Sequence, residues 1–238
     1  MNRFGRAGLC AVLTNDIVMN SGTFDADDQY TPAAGETARE MNPIGSEKQP
    51  YTGTFDGGGY AIRGLCASKR GSYNSSGEGV AEGNYAGLFG KLSGATVKNL
   101  TVTGYVDGRF YVGGIAGYAD DATKTLNCRN ECIVVSGRST FTGDTESVIQ
   151  YAGGIVGYNA GSVTACCNAG AVTGIVSVGG ITGGGPGAVS DCYNVGTVTG
   201  DSHVGGIAGS GAAENKCFSW GRRAGALRNL LTARCWRR

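Results

Sequence analysis

Apolar residues run along this chain in short clusters, each cut off by glycine before it could form a helical stripe. Tyr111-Val-Gly-Gly-Ile-Ala-Gly117 is typical, and the pattern returns as Tyr85-Ala-Gly-Leu-Phe-Gly90, Tyr151-Ala-Gly-Gly-Ile-Val-Gly157, Val178-Gly-Gly-Ile-Thr-Gly183 and Val204-Gly-Gly-Ile-Ala-Gly209. The closing glycines are 27, 40, 26 and 26 residues apart. A second motif follows in the clearest units, where Val163-Thr-Ala-Cys-Cys-Asn-Ala-Gly-Ala-Val-Thr-Gly174 matches Val189-Ser-Asp-Cys-Tyr-Asn-Val-Gly-Thr-Val-Thr-Gly200. Short β-type segments recurring at this period predict an all-β chain, a parallel β-helix (β-solenoid) of about 26-residue glycine-rich coils.

Stacking is what such a unit needs. One coil carries only a handful of aliphatic side chains and cannot offset the entropy of ordering its own backbone. Stacked coils share a core and pair their backbones with the coil on either side. Ile115, Ile155, Ile181 and Ile207, with Leu88 in the same slot, are then expected to form an inward ladder. Gly117, Gly157, Gly183 and Gly209 are expected at a corner, Cys128, Cys166, Cys192 and Cys217 in another column, and Thr103, Thr173 and Thr199 in one shared slot. The expected organisation is a capping lead-in over residues 1–70, repeat coils over 71–220 and a basic tail over 221–238.

Composition narrows the classes. The 44 glycines have no every-third-residue period and come with only 4 prolines, which excludes a collagen helix and a proline-rich linker. Six of the 20 basic residues, all arginines, lie within 221–238, leaving 14 basic against 19 acidic residues in the body. An acidic body does not neutralise phosphates, so no nucleic-acid partner is expected. The nine cysteines include no Cys-x-x-Cys pair, which excludes zinc-ribbon spacing. No stretch of eighteen apolar residues exists to insert into a membrane. The first residues make a poor signal peptide, and the chain is expected to begin inside a longer protein or at a misplaced start.

The Gly-Gly-Ile-x-Gly-Tyr element followed by Cys-x-Asn-x-Gly-x-Val-Thr-Gly resembles the GLUG repeat. The upstream order of Leu13-Thr-Asn-Asp-Ile17, Pro43-Ile-Gly45 and Tyr51-Thr-Gly-Thr-Phe-Asp-Gly-Gly-Gly-Tyr-Ala-Ile-Arg-Gly-Leu65 is similar to the lead-in before such repeats in large secreted bacterial proteins. Those include the non-catalytic regions of IgA-specific metallopeptidases and surface adhesins. The resemblance spans Leu13 to about Trp220 and implies a secreted or cell-surface module. The repeat near Cys217 is degenerate, and the arginine tail matches nothing in the pattern.

Catalytic chemistry finds little footing. A zincin helix needs two histidines flanking a glutamate, and the chain has only His203, which falls in the slot of Tyr85, Tyr111, Tyr151 and Ser177. No serine elbow or Walker lysine motif is present. Asp120, Asp121, Asp191 and Asp201 do not repeat at the coil period, and Asp25, Asp27 and Asp28 lack the glycine and distant glutamate of a calcium loop. No catalytic residue, metal ligand or cofactor is therefore expected. Segments Ser68 to Asn84, Tyr105 to Phe110 and Arg138 to Gln150 all lead into the tyrosine slot and would emerge at one corner of an in-register stack. Solenoids gather insertions on a binding side, so Asp107, Arg109, Phe110, Asp144 and Glu146 are candidate contact residues. The expected function is a non-enzymatic structural spacer or adhesion scaffold. Its partner would be an extracellular protein or glycan, including a host-derived one. The alternatives are a non-catalytic region of a secreted metallopeptidase and a carbohydrate-active β-helix.

Overall fold

Glycine-punctuated segments of two to eight residues are too short to bury anything alone, and each is paired with its counterpart one repeat away. A computed structural model describes residues 8–24, 30–31, 38–68, 85–137 and 150–224. Among the described residues there is no helix, and every strand pairing is parallel except that of Thr23–Phe24 with Tyr30–Thr31. The fold is all-β, with parallel sheets of the kind a β-helix stacks.

Four such stacks carry the molecule. The first contains Thr96–Lys98, Lys124–Leu126, Ser162–Thr164 and Ala188–Ser190, and the second contains Ala61–Ser68, Thr101–Gly108 and Arg129–Ser136. The third runs through Tyr85–Ala86, Tyr111–Gly113, Tyr151–Gly153, Val178–Gly179 and Val204–Gly205. The fourth runs through Phe89–Leu92, Ala116–Ala119, Val156–Asn159 and Thr182–Gly184. From Tyr111 the chain visits the third, fourth, first and second stacks in turn, then re-enters the third at Tyr151. In the later passes partners are 26 residues apart in all four stacks, as in Ser162 with Ala188, Cys167 with Tyr193, Ala152 with Val178 and Val156 with Thr182. The lead-in joins the same sheets, since Ala11 pairs with Phe55, Thr54 with Thr96 and Thr101 with Ala61.

Inward side chains from all four stacks form one apolar cluster. Ile115, Ile155, Ile181 and Ile207 are fully buried, and their backbones are linked in sequence by N–H to carbonyl bonds of 3.0, 2.9 and 2.8 Å. The cysteine column is also present. The Cys128 N–H donates to Cys166 Sγ at 3.4 Å and the Cys166 N–H to Cys192 Sγ at 3.3 Å, while the Cys217 thiol donates to the Val189 carbonyl. All four are free thiols. Each column cysteine follows a residue with left-handed backbone, namely Asn127, Ala165, Asp191 and Lys216, and Asn99 takes the same place before Leu100. Asparagine suits that conformation, and here it also forms a ladder: Asn127 Nδ2 donates to Asn99 Oδ1 at 2.9 Å.

The two sequence motifs meet across the core. Asn130, Asn168 and Asn194 of the Cys-x-Asn motif are completely buried, yet their carboxamides are satisfied by one another. Asn130 Nδ2 donates to Asn168 Oδ1 at 2.7 Å and Asn168 Nδ2 to Asn194 Oδ1 at 2.8 Å, with Gly170 and Gly196 carbonyls as further acceptors. Room for these carboxamides comes from the second glycine of the Gly-Gly-Ile motif. A Cβ on Gly114, Gly154 or Gly180 would overlap the side chain of Asn130, Asn168 or Asn194 respectively.

Two expectations are corrected. Gly117, Gly157 and Gly183 lie inside strands of the fourth stack rather than at a corner. What excludes a side chain there is close backbone: a Cβ on Gly183 would lie 2.6 Å from the Ala152 nitrogen. Thr103 pairs with Glu131, whereas Thr173 pairs with Val135 and Thr199, so the three threonines do not share a slot. The strand Thr101–Gly108 runs unbroken for eight residues, and Val106-Asp107 occupies the level held by Val172-Thr173 later.

Replacing Asn168 by alanine is expected to cost about 2–3 kcal/mol, because it opens a hole and removes partners from two buried amides. Urea denaturation would measure it, and a loss under about 0.5 kcal/mol would contradict the ladder's role. Ala165→Asn is expected to gain about 1 kcal/mol by relieving a left-handed alanine and extending the Asn99–Asn127 ladder. An unchanged or lowered urea midpoint would contradict this.

Candidate functional site

The register that aligns the core also aligns the places where the coil is interrupted. Asp107 pairs with Ser68 on one side and Val135 on the other, and Tyr111 pairs with Tyr85 and Tyr151. The three polar excursions therefore leave from neighbouring strand ends and return into neighbouring strand starts. Most of the first and third, over 69–84 and 138–149, lies outside the described residues, and with it Asp144 and Glu146. The calcium candidates Asp25, Asp27 and Asp28 lie outside as well, as do residues 225–238 of the basic tail.

At the return points stands a double column of half-buried tyrosines. Tyr85, Tyr111 and Tyr151 stack with centroids 5.1 and 5.8 Å apart and planes inclined by 10°. Tyr118 and Tyr158, each just after a closing glycine, stack at 5.2 Å in the adjoining strands. The two columns meet edge to face, with Tyr111 5.7 Å from Tyr118 and 6.0 Å from Tyr158, and Tyr151 5.0 Å from Tyr158. Offset and edge-to-face contacts are the arrangements the ring quadrupole favours. Lys91, in register with Tyr118, holds its ammonium 5.7 Å from the Tyr85 ring centre and 5.3 Å from that of Tyr118. The Tyr85 hydroxyl donates to Glu47 Oε1 at 3.4 Å. Gly184 makes space at the far end, since a Cβ there would sit 2.6 Å from Tyr151 Cε1.

The anticipated contact residues are distributed differently. Asp107 is only 2 % exposed within its strand, so its side chain is not presented at the surface. Arg109 and Phe110 do lie at the corner, with the guanidinium 4.6 Å above the phenyl ring, and their backbone carbonyls accept from Ser136 Oγ and the Tyr151 N–H. His203 continues the tyrosine column through Ser177, with a left-handed backbone, and its Nδ1 has no hydrogen-bond partner among the described residues. Asp120 is a structural tie, accepting from Ser93 Oγ, the Gly94 N–H and Thr123 Oγ1. Among the described residues no three His, Cys, Asp or Glu side chains converge as a metal site would require. A shallow cleft of about 400 Å³ lies along the second stack, but its charged members are already paired, Arg63 with Asp16 at 2.9 Å and Glu131 with Arg129.

The sequence shows only half of the tyrosine cluster. Tyr85, Tyr111 and Tyr151 share a motif position, while the recurrence of Tyr118 and Tyr158 after the closing glycine was the available signal for the second column. Nothing local reveals that the two columns touch, or that Lys91 lies over both.

These features define an all-β, parallel-stacked protein with an aromatic corner. No protein-family model and no curated protein sequence matches the chain. A solved structure from Bacteroides ovatus, described as a "putative immunoglobulin A1 protease", is similar in fold, with a TM-score of 0.62 at 20% sequence identity. The match covers 92% of this chain and 62% of that one, so this chain spans less than two thirds of that protein's length. No helix among the described residues is long and apolar enough to cross a membrane.

Burial first, and then the Glu47 charge, push the Tyr85 hydroxyl up to about 12, and burial does the same to Tyr51. Cys192 is pushed up to about 12 by hydrogen bonding to Cys166 and by burial. Groups with raised native values hold protons more tightly when folded, so their contribution is intact below the unfolded values near ~9 for thiols and ~10 for phenols. It is lost as pH rises toward 12. Urea midpoints are expected to be flat near neutrality and to fall progressively from about pH 9 to 12; a midpoint that rose over that window would contradict the assignment.

Proposed function

We propose that this chain is a non-enzymatic extracellular module, a parallel β-helix of about 26-residue coils that presents its interrupted corner as a contact surface at a bacterial surface. The observation that supports it most is the coincidence of three polar excursions and five tyrosines at one corner of an in-register stack. Rigid scaffolds place recognition on loops, and tyrosine supplies a large contact area at small entropic cost. The Gly-Gly-Ile-x-Gly and Cys-x-Asn motifs favour a GLUG-type repeat, and their packing against each other gives a physical reason for their occurring together. A second reading, a non-catalytic region of a peptidase-related protein, is favoured by the Bacteroides ovatus neighbour. Both readings keep the chain outside the cell and without a catalytic site of its own.

Two measurements test this. Immunoglobulin A1 incubated with the purified chain is expected to stay intact by mass spectrometry, and fragments growing in proportion to chain concentration would overturn the non-enzymatic reading. The chain is expected to bind a mucin-coated surface saturably, and deletion of 139–149 is expected to weaken that binding at least tenfold. Equal affinity in the deletion variant would remove the corner as the contact surface.

A further inference from the structure

We propose that the tyrosine corner binds an extended, uncharged polysaccharide laid along the stacking axis, an inference that rests on reading this corner as a contact surface. The first ground is ring geometry. Nearly parallel rings with centroids 5.1 to 5.8 Å apart touch only if they are slipped, because carbon atoms pack at about 3.5–4.0 Å. Slipped rings overlap like shingles, so neighbouring rings cover each other only in part, consistent with the partial exposure of all five tyrosines. Apolar ring faces interleaved with hydroxyls match the two chemical surfaces of a pyranose, its C–H face and its hydroxyl rim.

Spacing is the second ground. The tyrosines of each column stand in register on adjacent parallel strands, so they recur along the stacking axis at the inter-strand spacing of about 4.8 Å, the order of one ring length in an extended β-linked pyranose chain. An extended peptide advances about 3.3 Å per residue and shows side chains to one side only every ~6.6 Å, so it falls out of step within a few repeats. Charge is the third. Among the described residues Lys91 lies over these rings and Arg109 over Phe110 at the same corner, while Glu47, Asp120 and Asp121 act on the tyrosine hydroxyls as anions, three negative charges against two positive. That excess of negative charge disfavours sulfated glycans and other polyanions.

The test is affinity electrophoresis of the intact chain through gels containing a soluble β-1,4-glucan or β-1,4-mannan, with dextran sulfate as the anionic control. Retardation by at least one neutral polymer is expected, with none by dextran sulfate. Tyr111→Leu/Tyr158→Leu should lower the affinity at least tenfold while far-ultraviolet circular dichroism stays unchanged. Should that variant fail to fold, a saturable tyrosine difference spectrum of the native chain on titration with the retarding polymer is the deciding readout. Absence of retardation by both neutral polymers, retardation by dextran sulfate alone, or binding that ignores the tyrosine substitutions overturns the proposal. If mucin binding still depends on 139–149 in that event, the corner remains a contact surface for a ligand other than a neutral polysaccharide.

Discussion

The in-register pairing of one coil with the next is the constraint from which everything else follows, and the buried asparagine ladder is where it is enforced most strictly. A carboxamide in an apolar core is costly unless both its donor and its acceptor are used. Asn168 meets that requirement with Asn130 on one side and Asn194 on the other, and with the Gly170 carbonyl of its own coil. A slip of one residue would turn every side chain to the opposite face and strand three amides at once.

The same ladder explains why two motifs recur as a pair. Asparagine reaches from the second stack to the Gly-Gly turn between the third and fourth, and only glycine leaves space for it. Each coil is therefore cross-braced internally before it is stacked. Bracing of this kind lets a coil be interrupted without loss of register: Tyr111 and Tyr151 are partners across a step of 40 residues, just as Ala152 and Val178 are across 26.

An aromatic surface on such a frame inherits its regularity. Tyrosine columns that are half-buried, mutually stacked and held by strands on both sides lose little freedom when something lies across them, which favours binding through preorganisation. The thiol column contributes in the opposite sense. Burial and mutual hydrogen bonding raise Cys166 and Cys217 well above the ordinary thiol range, so these cysteines are packed as neutral groups rather than poised as nucleophiles.

Repetition in the sequence was enough to determine the strand class, the parallel stacking, the isoleucine ladder and the cysteine column, because equivalent positions in successive repeats must lie beside one another once coils stack. It misplaced Thr103, since matching a Val-Thr-Gly triplet takes no account of whether a strand runs unbroken, as Thr101–Gly108 does, or divides around Gly170 as the later ones do. It presented Asp107 as a surface residue, whereas the pairing of its strand on both sides buries it. The asparagine–glycine brace, the perpendicular contact of the two tyrosine columns and the position of Lys91 over both belong to tertiary structure alone. Periodicity reports which residues are equivalent along the axis, but contacts across a coil depend on how the chain turns between strands, and no repeat length encodes that.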